Sequence, residues 1–285
     1  MIKHLAPIVG MTAEPKTAGG EGQHHWVLDH SPSPTSVSEG GVEQGTSFIA
    51  KALVDLGGRR PVKILDFGCG SGRLVRSFRK LGFDAWGCDI RPSWKGSNDP
   101  SVKYLRVIPL ASSYRLPFKN ASFDSVVSTS VLEHAQNKDK IFREIHRILV
   151  PGGQMLHLFP GKFFFPSEPH INVPLVNWIW PNVPRFWLRL WAVLGIRNEF
   201  QSGMRWREVV DVNAEYVNSG LSYCTHRNLE RTVKRIFGNC QFPNRYYVFN
   251  APGKAARLCR ILPFKNCTAW AIGRFRTGLL YAEKV

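Results

Sequence analysis

No run of 18 apolar residues occurs in the 285-residue chain, which excludes an ordinary membrane-spanning helix. The six cysteines (Cys69, Cys88, Cys224, Cys240, Cys259 and Cys267) include no C-x-x-C pair. A zinc knuckle and a disulfide framework therefore lack support, and no metal-ligand set is read from the sequence. Free thiols suit a reducing compartment, so a cytoplasmic location is expected. The opening MIKHLAPIVGMTAEPK lacks the apolar core and cleavage site of a signal peptide. Acidic residues are also few, 21 against 38 Lys and Arg, for a formal net charge of +17. The deficit is deepest in residues 229–285, with 11 basic and 2 acidic side chains. Such a balance points to an anionic partner, which could be a membrane surface, a phosphate-bearing substrate or nucleic acid. The alternative is a merely solvated surface.

What is present reads as one large globular domain. Residues 1–45 are rich in Gly, Pro, Ser and His and are expected to be a disordered arm. Residues 48–56 have helical spacing. Short apolar strands then alternate with helices. Strands are expected at 62–67, 84–88, 103–108, 123–128 and 154–159, and helices at 71–81 and 137–149, the latter closed by Pro151-Gly152-Gly153. This rhythm predicts an α/β fold with a mainly parallel sheet covered by helices on both faces. After residue 160 it breaks into an aromatic, proline-rich insertion, 161–225. A basic helix is expected from His226, and strands at 242–249 and 277–284.

The stretch ILDFGCGSGRL carries Gly68, Gly70 and Gly72 after a strand and before a helix. The G-x-G-x-G spacing, with Arg73 next, fails the dinucleotide fingerprint and the phosphate-loop pattern. Asp89 ends the next strand, where a carboxylate can accept hydrogen bonds from both hydroxyls of a ribose. With GCDI, LPFKNASFDSVVSTSVLEHA and FREIHRILVPGGQML, the chain resembles the class I S-adenosylmethionine-dependent methyltransferases over residues 48–160. It is most similar to their small-molecule branch.

The resemblance implies a Rossmann-like sheet and S-adenosylmethionine as cofactor. It places Asp66, Gly68, Gly70 and Gly72 in the loop against the methionine and adenosine parts, and Asp89 on the ribose. It places Leu116, with Pro117 and Phe118, beside the adenine, and Ser128 and Thr129 near the sulfonium. Ser112 stands where the family usually has an Asp touching the adenine, and IRPSWKGSNDPS replaces a usual helix after Asp89.

A nucleophile held in line with an activated methyl needs exclusion of water, and a general base if it is a hydroxyl. The insertion is the natural lid. Its FFFPSEPHINVPL resembles a segment of bacterial methyltransferases associated with surface-polysaccharide biosynthesis. Glu168 and His170 are candidates for a base or a polar-substrate contact, and His134 of LEH is a further candidate. Loop hydrogen bonding is the alternative for each. From Pro184 a helix places Phe186, Leu190, Val193 and Leu194 on one side. With its arginines and tryptophans it suits a lipid interface, a hydrophobic lid, or plain core packing. The basic GKAARLCRILPFK suits an anionic lipid surface. The expected partner is a small-molecule or glycan acceptor, with peripheral membrane contact. Nucleic acid is the rival, without the Asp/Asn-Pro-Pro-Tyr/Phe stretch or nucleophilic cysteine context of base methylation. The oligomeric state is not legible, and a non-catalytic binding module is the remaining alternative.

Overall fold

The computed structural model describes residues 39–90, 94, 98–108, 114–252, 261 and 264–285. Ser112, the expected arm up to residue 38, and most of the basic GKAARLCRILPFK segment lie outside the described residues. The element order is α1 (Glu39–Gly57), β1 (Lys63–Phe67), α2 (Arg73–Lys80), β2 (Asp84–Asp89), β3 (Leu105–Val107), β4 (Phe123–Thr129), α3 (Lys138–Ile148) and β5 (Leu149–Pro160). There follow α4 (Val176–Ile179), α5 (Arg185–Val193), α6 (Trp206–Glu215), α7 (His226–Phe237), α8 (Asn244–Asn250), α9 (Lys265–Phe275) and β6 (Thr277–Glu283).

The six strands form one sheet in the order β3-β2-β1-β4-β5-β6. All neighbours are parallel except β6, which runs antiparallel along β5. This is the Rossmann-like arrangement expected. Alternation along each strand sends side chains to opposite faces. Leu65, Val126, Met155 and Leu280 join one core with α3 and α7, while Ile64, Val127, Leu156 and Leu279 join the other with α1, α2 and Ala251. Each fully buried Leu, Ile or Phe in these layers is worth about 1.5–3 kcal/mol.

The insertion is helical and has a core of its own, built from Ile171, Val173, Leu188, Val209, Tyr216 and Tyr223 among others. Its helix α5 buries Leu188 and Ala192. Phe186, Leu190, Val193 and Leu194 share the opposite, exposed side.

Three boundaries differ from expectation. Helix α1 starts at Glu39, inside the expected arm, because Phe48, Ile49, Ala52 and Leu53 anchor it to the sheet. Strand β5 opens at Leu149, not after the glycines. Leu149 pairs with Phe123, and the register then slips to Ser125 opposite Gln154. Gly152 takes φ 69° inside this irregularity, a conformation that glycine supplies without steric cost. A strand is expected at 242–249, but Asn244–Asn250 form α8. Tyr246 and Tyr247 pack their rings on Phe48 at 6.0 and 5.7 Å, so tertiary contact overrides β propensity.

Candidate active site

The glycine loop joins β1 to α2 at the carboxyl end of the sheet, where such folds bind ligands. Gly68 and Gly72 have φ 75° and 77°. A Cβ on Gly68 would stand 2.4 Å from Val131 Cγ2, and one on Gly72 would stand 2.8 Å from Leu105 Cδ1. Those two glycines are thus demanded by close packing of the loop. Gly70 differs: among the described residues, nothing lies within 4 Å of its would-be Cβ. Its N–H donates to Asp89 Oδ2 at 2.8 Å. A bare backbone facing open space beside a carboxylate fits a nucleoside, so the residues present suit the cofactor the motif implies.

Asp66 is buried below the loop. Loss of solvent, reinforced by the charge of Asp89, pushes its carboxyl up to about 8. The unfolded chain therefore releases this proton near pH 4, long before the folded chain does. Stability owed to neutral Asp66 is full below that pH, drains away as pH rises, and levels off above about 8. Asp66→Asn should flatten the fall of melting temperature between pH 4 and 8, where one proton accounts for up to about 1.4 kcal/mol per pH unit. Superimposable pH profiles of the two proteins would refute this.

Leu116 is buried; its N–H donates to Glu144 Oε2 at 2.8 Å and its carbonyl accepts from Arg147. Ser128 is fully buried, with its hydroxyl 2.6 Å from His157 Nδ1. Burial pulls His157 down to about 3, which keeps it neutral. Thr129 is exposed at the end of β4. The chain then turns sharply, with Ser130 at φ 55°.

That turn carries Val131, packed on Gly68, and then Glu133 and His134. The insertion's last segment is clasped to it. Ser222 N–H donates to the Glu133 carbonyl at 2.6 Å, His134 Nδ1 bonds the Gly220 carbonyl at 2.7 Å, and Lys138 Nζ reaches Ser222 Oγ at 3.1 Å.

The three candidate catalytic residues meet here. His134 Nε2 lies 3.4 Å from His170 Nε2, although they are 36 positions apart. His170 Nδ1 is 2.9 Å from Glu168 Oε1. Glu168 is fully buried and also accepts from Tyr223 Oη (3.0 Å), Tyr216 Oη (3.3 Å), and the N–H groups of His170 (2.8 Å) and Ile171 (2.9 Å). Burial alone would raise its carboxyl, but the His170 hydrogen bond and charge, with the two N–H donors, hold it below the usual range. For His170 burial pulls down, and Glu168 and then Glu133 outweigh it, so its affinity for a proton is raised.

Sequence reasoning missed Glu133, Tyr216 and Tyr223. Glu133 is 2 % exposed, and among the described residues neither carboxylate oxygen has a hydrogen-bond partner. Burial raises it to about 7, against the opposing charge of His170. Its place beside His134 was the available signal; the tyrosines gave none.

Residues 65–157 match the family model described as a methyltransferase domain. This segment is similar to a methyltransferase domain, over about a third of the chain. S-adenosylmethionine is the cofactor that this domain match supports. Among curated relatives, the chain is 32% identical over 115 residues to the ubiquinone biosynthesis O-methyltransferase of Xanthomonas oryzae pv. oryzae, covering 36% of this chain and 44% of the relative. It is 26% identical over 148 residues to norajmaline N-methyltransferase of Rauvolfia serpentina, covering 48% and 51%. The chain thus spans about half the length of the curated relatives it matches, or less. A putative sarcosine dimethylglycine methyltransferase from Galdieria sulphuraria aligns with 16% identity over 84% of this chain and 85% of its own, at TM-score 0.43. The fold assignment rests on the strand order above. The domain match covers the glycine loop, Asp89 and the turn through His134, and ends before Glu168 and His170.

Proposed function

We propose that the chain transfers a methyl group from S-adenosylmethionine to an oxygen or nitrogen of a small molecule, with a lipid-linked sugar or related glycan as the favoured acceptor class. The observation that carries this reading is the meeting of two halves. The domain's turn after β4 presents His134 beside the cofactor loop, and the insertion brings His170 onto it.

When bound, the cofactor supplies a sulfonium-activated methyl electrophile. The residues of this chain do the rest. Gly70 leaves room for the nucleoside, and Asp89, with one oxygen pinned by the Gly70 N–H, holds the ribose. Asp66 lies close enough to Asp89 to feel its charge, and it favours a cationic group above the loop once ionised. Glu168 fixes the His170 ring from behind by taking the Nδ1–H, so Nε2 is the atom left to take a proton from an acceptor hydroxyl. The insertion is the lid that excludes water from the pair.

The favoured acceptor class has its support on the outside of this lid. Phe186 and Val193 are 69% and 59% exposed on α5. Phe186 also lines an open groove of about 440 Å³ with Arg189, Arg207, Trp206 and the ion-paired Arg185 and Asp211. Apolar side chains flanked by arginines suit an anionic lipid surface. No helix among the described residues is long and apolar enough to cross a membrane, so contact would be peripheral.

The test uses methyl-labelled S-adenosylmethionine and an extract of the protein's own cells, separated into lipid, glycan, small-molecule, RNA and protein fractions. Label is expected in a lipid or glycan fraction. Leu190→Glu should lower labelling of the lipid fraction at least about tenfold while leaving cofactor affinity unchanged. Label confined to RNA would overturn the proposal, and no label despite intact cofactor binding would favour a binding module.

A further inference from the structure

We propose that Glu133, His134 and His170 form a binding site for one divalent transition-metal ion of the zinc type. One donor atom from each lies within 4.8 Å of the other two. The histidine Nε2 atoms are 3.4 Å apart. Two nitrogens bound tetrahedrally at 2.0–2.1 Å stand roughly 3.4 Å from one another, so this pair has the spacing such an ion requires.

Both rings are held from behind in the way metal-binding histidines are. His134 Nδ1 meets the Gly220 carbonyl at 2.7 Å, and His170 Nδ1 meets Glu168 Oε1 at 2.9 Å. A carbonyl and a carboxylate only accept, so each Nδ1 carries the hydrogen. The two Nε2 atoms then face each other at hydrogen-bond distance, a spacing that a shared proton or a metal ion between them satisfies. Glu168 cannot drift, since two tyrosine hydroxyls and two backbone N–H groups also bind it.

The second observation is Glu133. It is 2 % exposed, and among the described residues neither carboxylate oxygen has a hydrogen-bond partner. Buried polar groups are ordinarily satisfied, and one left alone calls for an explanation such as an ion. A cation ligated by one of these oxygens satisfies the group. Two imidazoles with one carboxylate favour zinc-like ions over magnesium or calcium, which prefer all-oxygen sets. The 4.8 Å spread means that at least one arm must close by roughly 1 Å or more on the ion.

Three protein ligands leave a coordination position for an oxygen ligand. This role rests on the functional reading above, because it places an acceptor oxygen on the ion; His170 then acts through the metal rather than as a free base. Binding itself does not rest on that reading. A lone acid beside a histidine in sequence, with the second histidine 36 positions on, has no ligand spacing to recognise, which is why the sequence reads as metal-free.

The test is cobalt(II) and zinc(II) titration of the full chain after chelator treatment, followed by visible absorption and calorimetry. One ion per chain is expected, with Kd below about 10 µM and no thiolate charge-transfer band, which separates the site from the cysteines. Glu133→Gln and His134→Ala should each weaken binding at least about tenfold. Glu133→Gln is near-isosteric and loses no hydrogen bond, and retained S-adenosylmethionine binding reports that each variant is folded. A chain that binds the cofactor but takes up no ion at 100 µM, roughly ten times that limit, overturns the site. So does uptake that is unchanged in both variants, or uptake with a thiolate band. Ion binding without methyl transfer to any fraction supports the site while removing the functional reading.

Discussion

Replacing Glu168 with alanine is expected to cost about 3–5 kcal/mol of stability and to slow methyl transfer at least about 100-fold. The carboxylate is fully buried and accepts five hydrogen bonds from four residues. Its removal strands two tyrosine hydroxyls, two backbone N–H groups and the His170 Nδ1–H, and buried donors without acceptors are expensive. A drop in melting temperature of about 10 °C follows for a chain of this size. Glu168→Gln keeps the volume and one accepting oxygen, so its stability loss should be smaller. Its rate loss should stay large, because the charge that steadies a positive centre at His170, whether a proton or a bound ion, is gone. Cofactor affinity should hardly change, since the insertion has its own core. Scanning calorimetry and single-turnover transfer decide the matter. A variant with unchanged melting and unchanged rate would remove Glu168 and His170 from the mechanism together.

The second large effect is on the cofactor itself. Asp89→Ala is expected to weaken S-adenosylmethionine binding about 10- to 100-fold, the value of hydrogen bonds to a charged acceptor. Two losses combine: the ribose partner disappears, and the Gly70 N–H is released from the 2.8 Å bond that shapes the loop. Asp89→Asn retains an acceptor for Gly70 and should fall between the two. Calorimetric titration with cofactor measures both. Affinity within twofold of the parent for Asp89→Ala would discard the ribose assignment.

The parts of this molecule governed by local physics could be read early. Gly68, Gly70, Gly72 and Asp89 announce themselves because a tight strand-to-helix turn and an acid at a strand end have few other uses. Helix α3 was legible from Ile141, Ile145 and Ile148, all buried on one face. What escaped depended on distant partners. Tyr246 and Tyr247 favour strands by themselves and become helical because Phe48 receives their rings. The beginning of α1 was hidden by Gly40, Gly41 and Gly45, which lower helix propensity, until burial of Phe48 and Leu53 outweighed them. Pro151, Gly152 and Gly153 look like a stop but lie in the irregular opening of β5, whose pairing with Phe123 no local rule foretells. In the same way His134 and His170 were each visible as candidates, while their meeting, and the orphaned Glu133 beside them, arises only when the insertion folds back onto the turn after β4.

The separate core of residues 161–225 has an evolutionary consequence. Substitutions that reshape Leu188, Val209 or Tyr216 alter the surroundings of His170 without disturbing Leu65, Val126 or Val127 in the sheet. If the proposed function holds, drift within one contiguous stretch retunes the acceptor while purifying selection holds the glycine loop still. Sequence divergence among descendants of this chain should concentrate between Gly161 and Thr225, with Glu168 and His170 as the fixed points inside it.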